Sequence, residues 1–154
     1  MPRLNLLFSA VGSTDGSARN DSTWIQRRKS DFESHMTVLI VDDNPSLRRL
    51  LRRAILDDAS SIWECSDGAD AENAYVEHRP DIVLMDVRMP GMDGLAATRA
   101  LRQVDPKATI VFVTDYDDDD IRRAANEAGA SGYILKQNLT ELAQLLRSIW
   151  VSRN

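Results

Sequence analysis

The stretch that decides the fold is DIVLMDVRMPGMDG, which runs from Asp81 to Gly94. Residues 82–85 form a short, unbroken apolar run, which is typical of a strand covered on both faces of a parallel sheet. The carboxylate of Asp86 follows this run directly, and the turn-forming residues Pro90 and Gly91 come shortly after it. Asp86 is therefore either a loop residue that precedes the turn or part of a functional site. The residues at the other strand ends decide between these two interpretations.

Four other stretches of the chain repeat this pattern of an apolar run followed by an amphipathic helical segment. Alternating strands and helices joined by right-handed crossovers produce a parallel sheet with helices on both faces. The sequence therefore predicts an α/β fold with a doubly wound, five-stranded parallel sheet, whose binding site lies beyond the carboxyl ends of the strands. In chain order the predicted strands are TVLIVDD, SIWECSD, DIVLMDV, TIVFVTD and GYILK.

The predicted helices carry two further signals. Gly129 is expected to end the fourth helix as a C-cap, and the acidic run from Asp117 to Asp120 is expected to begin it, because the helix dipole favours acidic side chains there. The first helix is expected to bury one apolar stripe and to expose a basic face. The stripe consists of Leu47, Leu50, Leu51 and Ile55, and the basic face consists of Arg48, Arg49, Arg52 and Arg53.

Composition excludes several classes of protein. The 154 residues contain one cysteine, Cys65, so neither an internal disulfide nor a cysteine metal cluster can form, and a reducing, cytoplasmic location is predicted. The net charge is −5, and residues 37–154 hold 14 Lys and Arg against 20 Asp and Glu. A nucleic-acid-binding protein needs the opposite balance, and no apolar run approaches the length of a membrane span.

The first 36 residues differ in composition from the rest. They include SAVGSTDGSARNDS, which is rich in small polar residues and has neither helical nor strand periodicity. We therefore expect residues 1–36 to be a disordered N-terminal extension and residues 37–154 to form the folded domain. Met36, directly before the first strand, is an alternative start of the chain.

Candidate site residues follow four of the five predicted strands, namely the first, third, fourth and fifth. Three carboxylates gathered at one sheet edge repel one another unless a cation is present, and Mg²⁺ suits such a place because it binds carboxylates and phosphate oxygens together. The pattern predicts phosphoryl transfer to an aspartate: Asp86 is the nucleophile, a lysine neutralises charge, and a hydroxyl donates to the attached phosphoryl group. The residues concerned are Asp42 and Asp43 after the first strand, Asp86 after the third, Thr114 after the fourth and Lys136 after the fifth.

Each of these residues also has a structural alternative. Asp42 and Asp43 could cap the helix that begins near Pro45, since aspartate is a favourable N-cap. Thr114 could end a β-branched run, and Lys136 could be an ordinary solvated lysine. The functional hypothesis rests on all of them falling at the predicted edge together.

Together, these residues resemble the receiver domain of two-component response regulators. The resemblance covers residues 37 to about 151 and implies a flavodoxin-like sheet with strand order 2-1-3-4-5. The segments VLIVDDNPSLRRLL, DIVLMDVRMPGMDGL, IVFVTDYDDDD and AGASGYILK resemble its acidic pair, phosphoacceptor loop, threonine switch strand and lysine strand.

The resemblance also implies roles for individual residues. Asp43, assisted by Asp42 and Asp86, binds Mg²⁺, and the backbone carbonyl of Arg88 completes the metal shell. Asp86 accepts the phosphoryl group from a histidine kinase or a histidine phosphotransfer protein. Thr114 and Lys136 contact that group, and Tyr133 occupies the aromatic switch position.

The sequence departs from the family pattern at several positions. Gln137 replaces the proline that usually follows the lysine, and Asp115 replaces a small residue after the switch threonine. Arg88 and Tyr116 occupy variable positions that, in the family, influence how long the phosphate lasts.

The resemblance further implies partners and a mode of signalling. We expect a stand-alone receiver that acts by phosphorylation-dependent protein binding or in a phosphorelay, with an output protein that the sequence does not name. The face made by the fourth helix, fifth strand and fifth helix is the expected output surface and a candidate homodimer interface. The arginines of the first helix are a hypothetical docking surface for the phosphodonor.

Two alternatives come from other functional classes. A phosphatase of the haloacid dehalogenase type also uses an aspartate nucleophile and Mg²⁺, but it places a second acid where this chain has Arg88. A flavodoxin-like cofactor carrier would need small hydroxyl or glycine donors where this chain has the acidic loop DDNPS.

Overall fold

The computed structural model describes residues 36–154, and all of the predicted N-terminal extension except Met36 lies outside these residues. Strands and helices alternate as the sequence predicts. The strands are β1 (Met36–Val41), β2 (Ala59–Cys65), β3 (Ile82–Asp86), β4 (Ile110–Thr114) and β5 (Gly132–Leu135). The helices are α1 (Pro45–Ile55), α2 (Gly68–His78), α3 (Gly94–Val104), α4 (Asp119–Ala128) and α5 (Leu142–Arg153), with a 3₁₀ helix (Lys136–Glu141) before α5.

The five strands form one parallel sheet in the order β2-β1-β3-β4-β5, which confirms the predicted fold and strand order. The register aligns the strand ends. Val41 pairs with Met85 and Thr114 pairs with Leu135, so the polar residues that end or follow these strands emerge at the same edge.

Each face of the sheet is covered by helices, which is why the three central strands, β1, β3 and β4, are apolar along almost their whole length. One face packs on α2, α3 and α4, and the other packs on α1 and α5. The largest fully buried side chains belong to both layers and include Phe112, Leu39, Ile40, Leu51, Ile55, Leu101, Leu142 and Leu146. This two-sided burial holds the carboxyl ends of β1, β3, β4 and β5 in fixed relative positions.

Helix ends follow local capping chemistry. Asn44 caps α1 by accepting hydrogen bonds from the N–H groups of Ser46 and Leu47, and Asp118 caps α4 through the N–H of Asp120. Gly129 ends α4 with φ of 95°, in the left-handed region that favours glycine, as the sequence predicts.

The prediction that Leu50 belongs to the buried stripe of α1 is wrong. Leu50 is 54% exposed, whereas Leu51 and Ile55 of the same helix are buried. At about 100° per residue, Leu50 and Ile55 lie about 140° apart around the helix, so one buried stripe cannot hold both.

No helix among residues 36–154 is long and apolar enough to cross a membrane. The peptide bonds of the described segment are all trans, including the bond between Lys136 and Gln137.

Candidate functional site

Three carboxylates meet at the carboxyl edge of the sheet. Oxygen atoms of Asp42, Asp43 and Asp86 lie within 4.8 Å of one another. Asp42 is 1% exposed and Asp86 is 5% exposed, whereas Asp43 faces solvent. The predicted acidic cluster therefore exists, and it combines two buried groups with one that solvent reaches.

The ammonium group of Lys136 lies among these carboxylates. Its Nζ is 3.2 Å from Asp86 Oδ2 and 3.3 Å from Asp42 Oδ2. The Lys136 side chain is only 14% exposed, so the alternative that Lys136 is an ordinary solvated lysine is wrong. A third carboxylate, that of Asp115, lies 3.6 Å from the same nitrogen. The sequence shows that Asp115 departs from the family pattern, but it does not predict this ion pair with Lys136.

The environment changes the acidity of these groups. Burial, and then the charge of Asp42, raise the pKa of Asp86 to about 6, against the opposing effect of Lys136. Burial likewise raises the pKa of Asp42. Burial lowers the pKa of Lys136, but the attraction of Asp86 and Asp42 outweighs it, so the lysine pKa lies above its ordinary value. One cation thus only partly compensates two buried carboxylates.

The capping alternative for the acidic pair does not hold, because Asn44 caps α1. Asp42 Oδ1 accepts a hydrogen bond of 2.7 Å from the N–H of Asn44. Asp42 Oδ2 is buried and accepts no hydrogen bond from the described residues, although Lys136 lies near it. A buried carboxylate oxygen that shares one lysine with Asp86, beside two further carboxylates, matches the oxygen-rich ligand set that Mg²⁺ binds.

Thr114 is fully buried at the end of β4. Its Oγ1 accepts a hydrogen bond of 3.3 Å from the N–H of Tyr116. Tyr133, on the neighbouring strand, is half-buried, and its hydroxyl donates to the carbonyl oxygen of Tyr116. The two predicted switch residues are thus joined through the backbone of one loop residue.

Arg88 lies in the loop after β3, and its backbone N–H lowers the pKa of the Asp86 carboxyl against the larger effect of burial. Its guanidinium carbon lies 4.0 Å from the centre of the Tyr116 ring. A similar contact joins Arg122 to the ring of Tyr133 at 4.6 Å. These cation–π contacts were not predicted, because each joins residues of two different structural elements: two loops in one case, and α4 and β5 in the other.

Two surface grooves lie on elements that flank β5 and the 3₁₀ helix after it. One lies on α5 and β5 and is lined by Tyr133, Ile134, Glu141, Gln144, Leu145 and Ser148. The other lies between α1 and the 3₁₀ helix and is lined by Leu50, Arg53, Ala54, Leu139 and Thr140. The exposed position of Leu50, which the helical pattern did not predict, therefore supplies an apolar wall of the second groove.

Comparison with known proteins gives a consistent result. The family model of the response regulator receiver domain matches residues 38–147. The chemotaxis protein CheY of Halobacterium salinarum is 37% identical over 99 residues, which cover 64% of this chain and 82% of that protein. The response regulator GacA of Pseudomonas aeruginosa is 35% identical over 119 residues, which cover 75% of this chain and 56% of GacA. The chain therefore spans only about half of the length of GacA.

A solved structure shares the fold. The receiver domain of the histidine kinase CKI1 from Arabidopsis thaliana, in complex with Mg²⁺ and BeF₃⁻, aligns with a TM-score of 0.68 at 26% identity. The alignment covers 80% of this chain and 95% of that domain.

Proposed function

Since this chain belongs to the response regulator receiver domain family, we propose that it accepts a phosphoryl group on Asp86 in a Mg²⁺-dependent reaction. The donor is a histidine kinase or a histidine phosphotransfer protein. One observation carries this proposal: the buried Asp86 carboxylate ends a central strand within 3.2 Å of the Lys136 ammonium. A carboxylate in this environment has a counter-charge for a transferring phosphoryl group and protection from bulk water.

The chemistry is a single displacement at phosphorus. An oxygen of Asp86 attacks the phosphohistidine, the new O–P bond forms, and the P–N bond to the donor histidine breaks. The product is an acyl phosphate, and the donor histidine leaves as neutral imidazole, because its other ring nitrogen already carries a proton in the phosphohistidine. Lys136 neutralises charge on the phosphoryl oxygens, and the Thr114 hydroxyl donates to one of them.

Asp42, Asp43 and Asp86, together with the backbone carbonyl of Arg88, would hold the metal ion. When bound, Mg²⁺ supplies positive charge for the carboxylates and the phosphoryl oxygens together. The unsatisfied Asp42 Oδ2 supports this assignment. The CKI1 receiver, which was crystallised with Mg²⁺ and BeF₃⁻, offers an analogy.

The proposed reactions are self-catalysed phosphotransfer and later autodephosphorylation, not turnover of a separate substrate. The family is one of phosphoacceptor signalling domains. A haloacid dehalogenase-type phosphatase would need an acid two residues after Asp86, and Arg88 instead contacts Tyr116.

Signalling is proposed to use Thr114 and Tyr133 as the switch. A phosphoryl group that draws the Thr114 hydroxyl toward itself would disturb its bond with the Tyr116 N–H, and Tyr133 donates to the same residue. Because Tyr133 also lines the groove on β5 and α5, its position would alter the surface that an output protein contacts. The surface formed by α4, β5 and α5 serves phosphorylation-dependent protein binding or relay, and it is also the proposed homodimer interface.

The phosphodonor is proposed to dock on α1. Arg48 and Arg52 bind Glu64, but Arg49 and Arg53 are exposed and so remain accessible to a partner. The adjoining groove, with Leu50 and Leu139, offers an apolar surface beside these charges. A helical partner with acidic and apolar side chains complements both features.

We also propose that residues 37–154 form one receiver domain that acts as a stand-alone protein in the cytoplasm. The match to 82% of the length of an archaeal CheY supports this mode, whereas GacA, of which the chain spans about half, illustrates the alternative. The mass of the native protein isolated from its own cells tests it: a mass well above that of 154 residues would contradict stand-alone action.

The phosphorylation proposal is tested with acetyl phosphate, Mg²⁺ and a phosphate-affinity gel. We expect a retarded band that disappears in EDTA and in Asp86→Asn, while the matched variant Asp93→Asn, in the following loop, retains it. The same retarded band in Asp86→Asn would overturn the site assignment.

A further inference from the structure

Arg48 connects α1 to the acidic turn that follows β1. Its NH1 donates a hydrogen bond of 2.7 Å to the backbone carbonyl oxygen of Asp42. Its Nε lies 3.2 Å from Oε2 of Glu64 on strand β2. The Arg48 side chain is only 17% exposed. Arg48 therefore supports the acidic turn and contributes little to the exposed basic face of α1.

Glu64 fixes the position of this arginine. Its second oxygen, Oε1, accepts a hydrogen bond of 2.8 Å from Arg52 Nε, and Arg52 NH2 donates to the carbonyl of Ile62. Hydrogen bonds from Arg52 and Arg48 outweigh the partial burial of Glu64 and lower its carboxyl pKa. The edge strand β2, which contributes no carboxylate to the cluster, thereby holds Arg48 in place.

The backbone N–H, the backbone carbonyl and one carboxylate oxygen of Asp42 all form hydrogen bonds. Its N–H donates to the carbonyl of Cys65, its carbonyl accepts from Arg48, and its Oδ1 accepts from the N–H of Asn44. The carbonyl of Asp42 and the N–H of Asp43 belong to one planar peptide group. A hydrogen bond that orients this carbonyl therefore also sets the direction in which the Asp43 side chain leaves the backbone.

We propose that Arg48 is a positioning residue for the divalent-cation site. Its hydrogen bond orients the peptide group between Asp42 and Asp43, and Glu64 holds the Arg48 guanidinium in place. This inference deepens the proposed function and depends on it. The ligand concerned is a hard divalent cation, Mg²⁺. Arg48 acts through the acidic pair and has no contact with the reacting atoms in this account.

Electrostatics and positioning predict opposite effects for the loss of Arg48. A guanidinium close to the acidic pair repels a divalent cation, so its removal alone would tighten Mg²⁺ binding. Loss of an orienting hydrogen bond would weaken binding, because groups that orient metal ligands contribute strongly to affinity. The sign of the change therefore distinguishes the two effects.

The test is calorimetric titration of MgCl₂ into metal-free protein, without any phosphodonor. We expect Arg48→Ala to raise the Mg²⁺ Kd about 10-fold. Arg48→Lys should fall between Arg48→Ala and wild type, because one ammonium can reach the Asp42 carbonyl or Glu64 but lacks the guanidinium fork that binds both. Arg52→Ala is the matched control, since it removes an equal charge from the same carboxylate without touching the acidic turn.

A second measurement in EDTA reports the turn directly. Amide hydrogen exchange of Asn44, whose N–H donates to Asp42, should accelerate in Arg48→Ala and not in Arg52→Ala. Circular dichroism and urea unfolding establish that both variants are folded.

The outcomes separate this inference from the proposed function. If wild type binds Mg²⁺ and Arg48→Ala binds it equally well or more tightly, the positioning role is overturned while the proposed function stands. Equal weakening in Arg48→Ala and Arg52→Ala would also overturn it. If wild type itself shows no Mg²⁺ binding, both proposals fail.

Discussion

Lys136 Nζ lies 3.2 Å from Asp86 Oδ2, and the same nitrogen lies 3.3 Å from Asp42 Oδ2. One cation is thus shared between two buried carboxylates. The metal-free site contains more carboxylate charge than Lys136 alone compensates, and burial raises the pKa of both buried carboxyl groups.

The metal-free protein should be more stable at mildly acidic pH because of Asp86. Its pKa is about 6 in the folded state, against 3.8 for an ordinary aspartate, so the folded state binds the proton more tightly than the unfolded state does. The resulting stability is fully present below pH 3.8 and is lost as the pH rises through about 6. Between pH 8 and pH 5 the free energy of unfolding should rise by about 1 kcal/mol from this group alone.

Urea unfolding in EDTA across this pH range measures the effect. Asp86→Asn should lack the Asp86 contribution, although the raised pKa of Asp42 remains in both proteins. Parallel pH profiles for wild type and Asp86→Asn would argue against the assigned acidity.

Mg²⁺ should stabilise the folded chain by binding at the acidic cluster. A ligand at about 100 times its Kd stabilises by about 2.7 kcal/mol, so thermal unfolding should shift upward with MgCl₂. Asp43→Asn should lose most of this shift, because it removes the solvent-facing ligand of the cluster. Glu72→Gln, an exposed residue of α2 away from the site, is the matched control. An unchanged shift in Asp43→Asn would place the ion elsewhere.

Reversing the exposed charges of α1 should slow phosphotransfer from a histidine donor. Arg49→Glu combined with Arg53→Glu is expected to lower the rate about 10-fold at low salt, with a smaller effect at high salt. Phosphorylation by acetyl phosphate should not change, since this small donor needs no docking surface. The control is Arg99→Glu combined with Arg123→Glu, which reverses two exposed charges on α3 and α4, on the opposite face of the sheet. Equal slowing in the two double variants would reject docking on α1.

The contact between Arg88 and Tyr116 should prolong the life of the acyl phosphate. It joins the loops that follow Asp86 and Thr114, at a distance of 4.0 Å between guanidinium and ring. Arg88→Ala and Tyr116→Ala should each speed phosphate release from the purified phosphoprotein, because looser loops admit water. As the two residues act as one pair, the double variant should release phosphate no faster than the faster single variant. Additive effects would mean that they act separately.

Much of the architecture was predictable because it follows from patterns along the chain. Burial on both faces makes the central strands β1, β3 and β4 almost wholly apolar, and the polar residues that end or follow β1, β3, β4 and β5 emerge at one edge. Asp42, Asp86 and Lys136 come together there as the sequence indicates. The functional roles assigned to them remain predictions that the experiments above test.

Other features depend on geometry that spacing along the chain does not contain. Asn44, and not the acidic pair, caps α1, because its side chain lies at the position from which an oxygen reaches the first free N–H groups. The bonds of Glu64 to Arg48 and Arg52 need the crossover from α1 to β2 to be known. The ion pair of Asp115 with Lys136 similarly joins the ends of two different strands.

The most direct test is to find which side chain carries the phosphoryl group. The protein is phosphorylated with acetyl phosphate and Mg²⁺, trapped by borohydride reduction, and digested for tandem mass spectrometry. Reduction of an aspartyl phosphate leaves homoserine at the modified position. We expect homoserine at Asp86 and at no other aspartate, with none in samples treated with EDTA. Homoserine at Asp42, Asp43 or Asp115, with Asp86 unmodified, would contradict it.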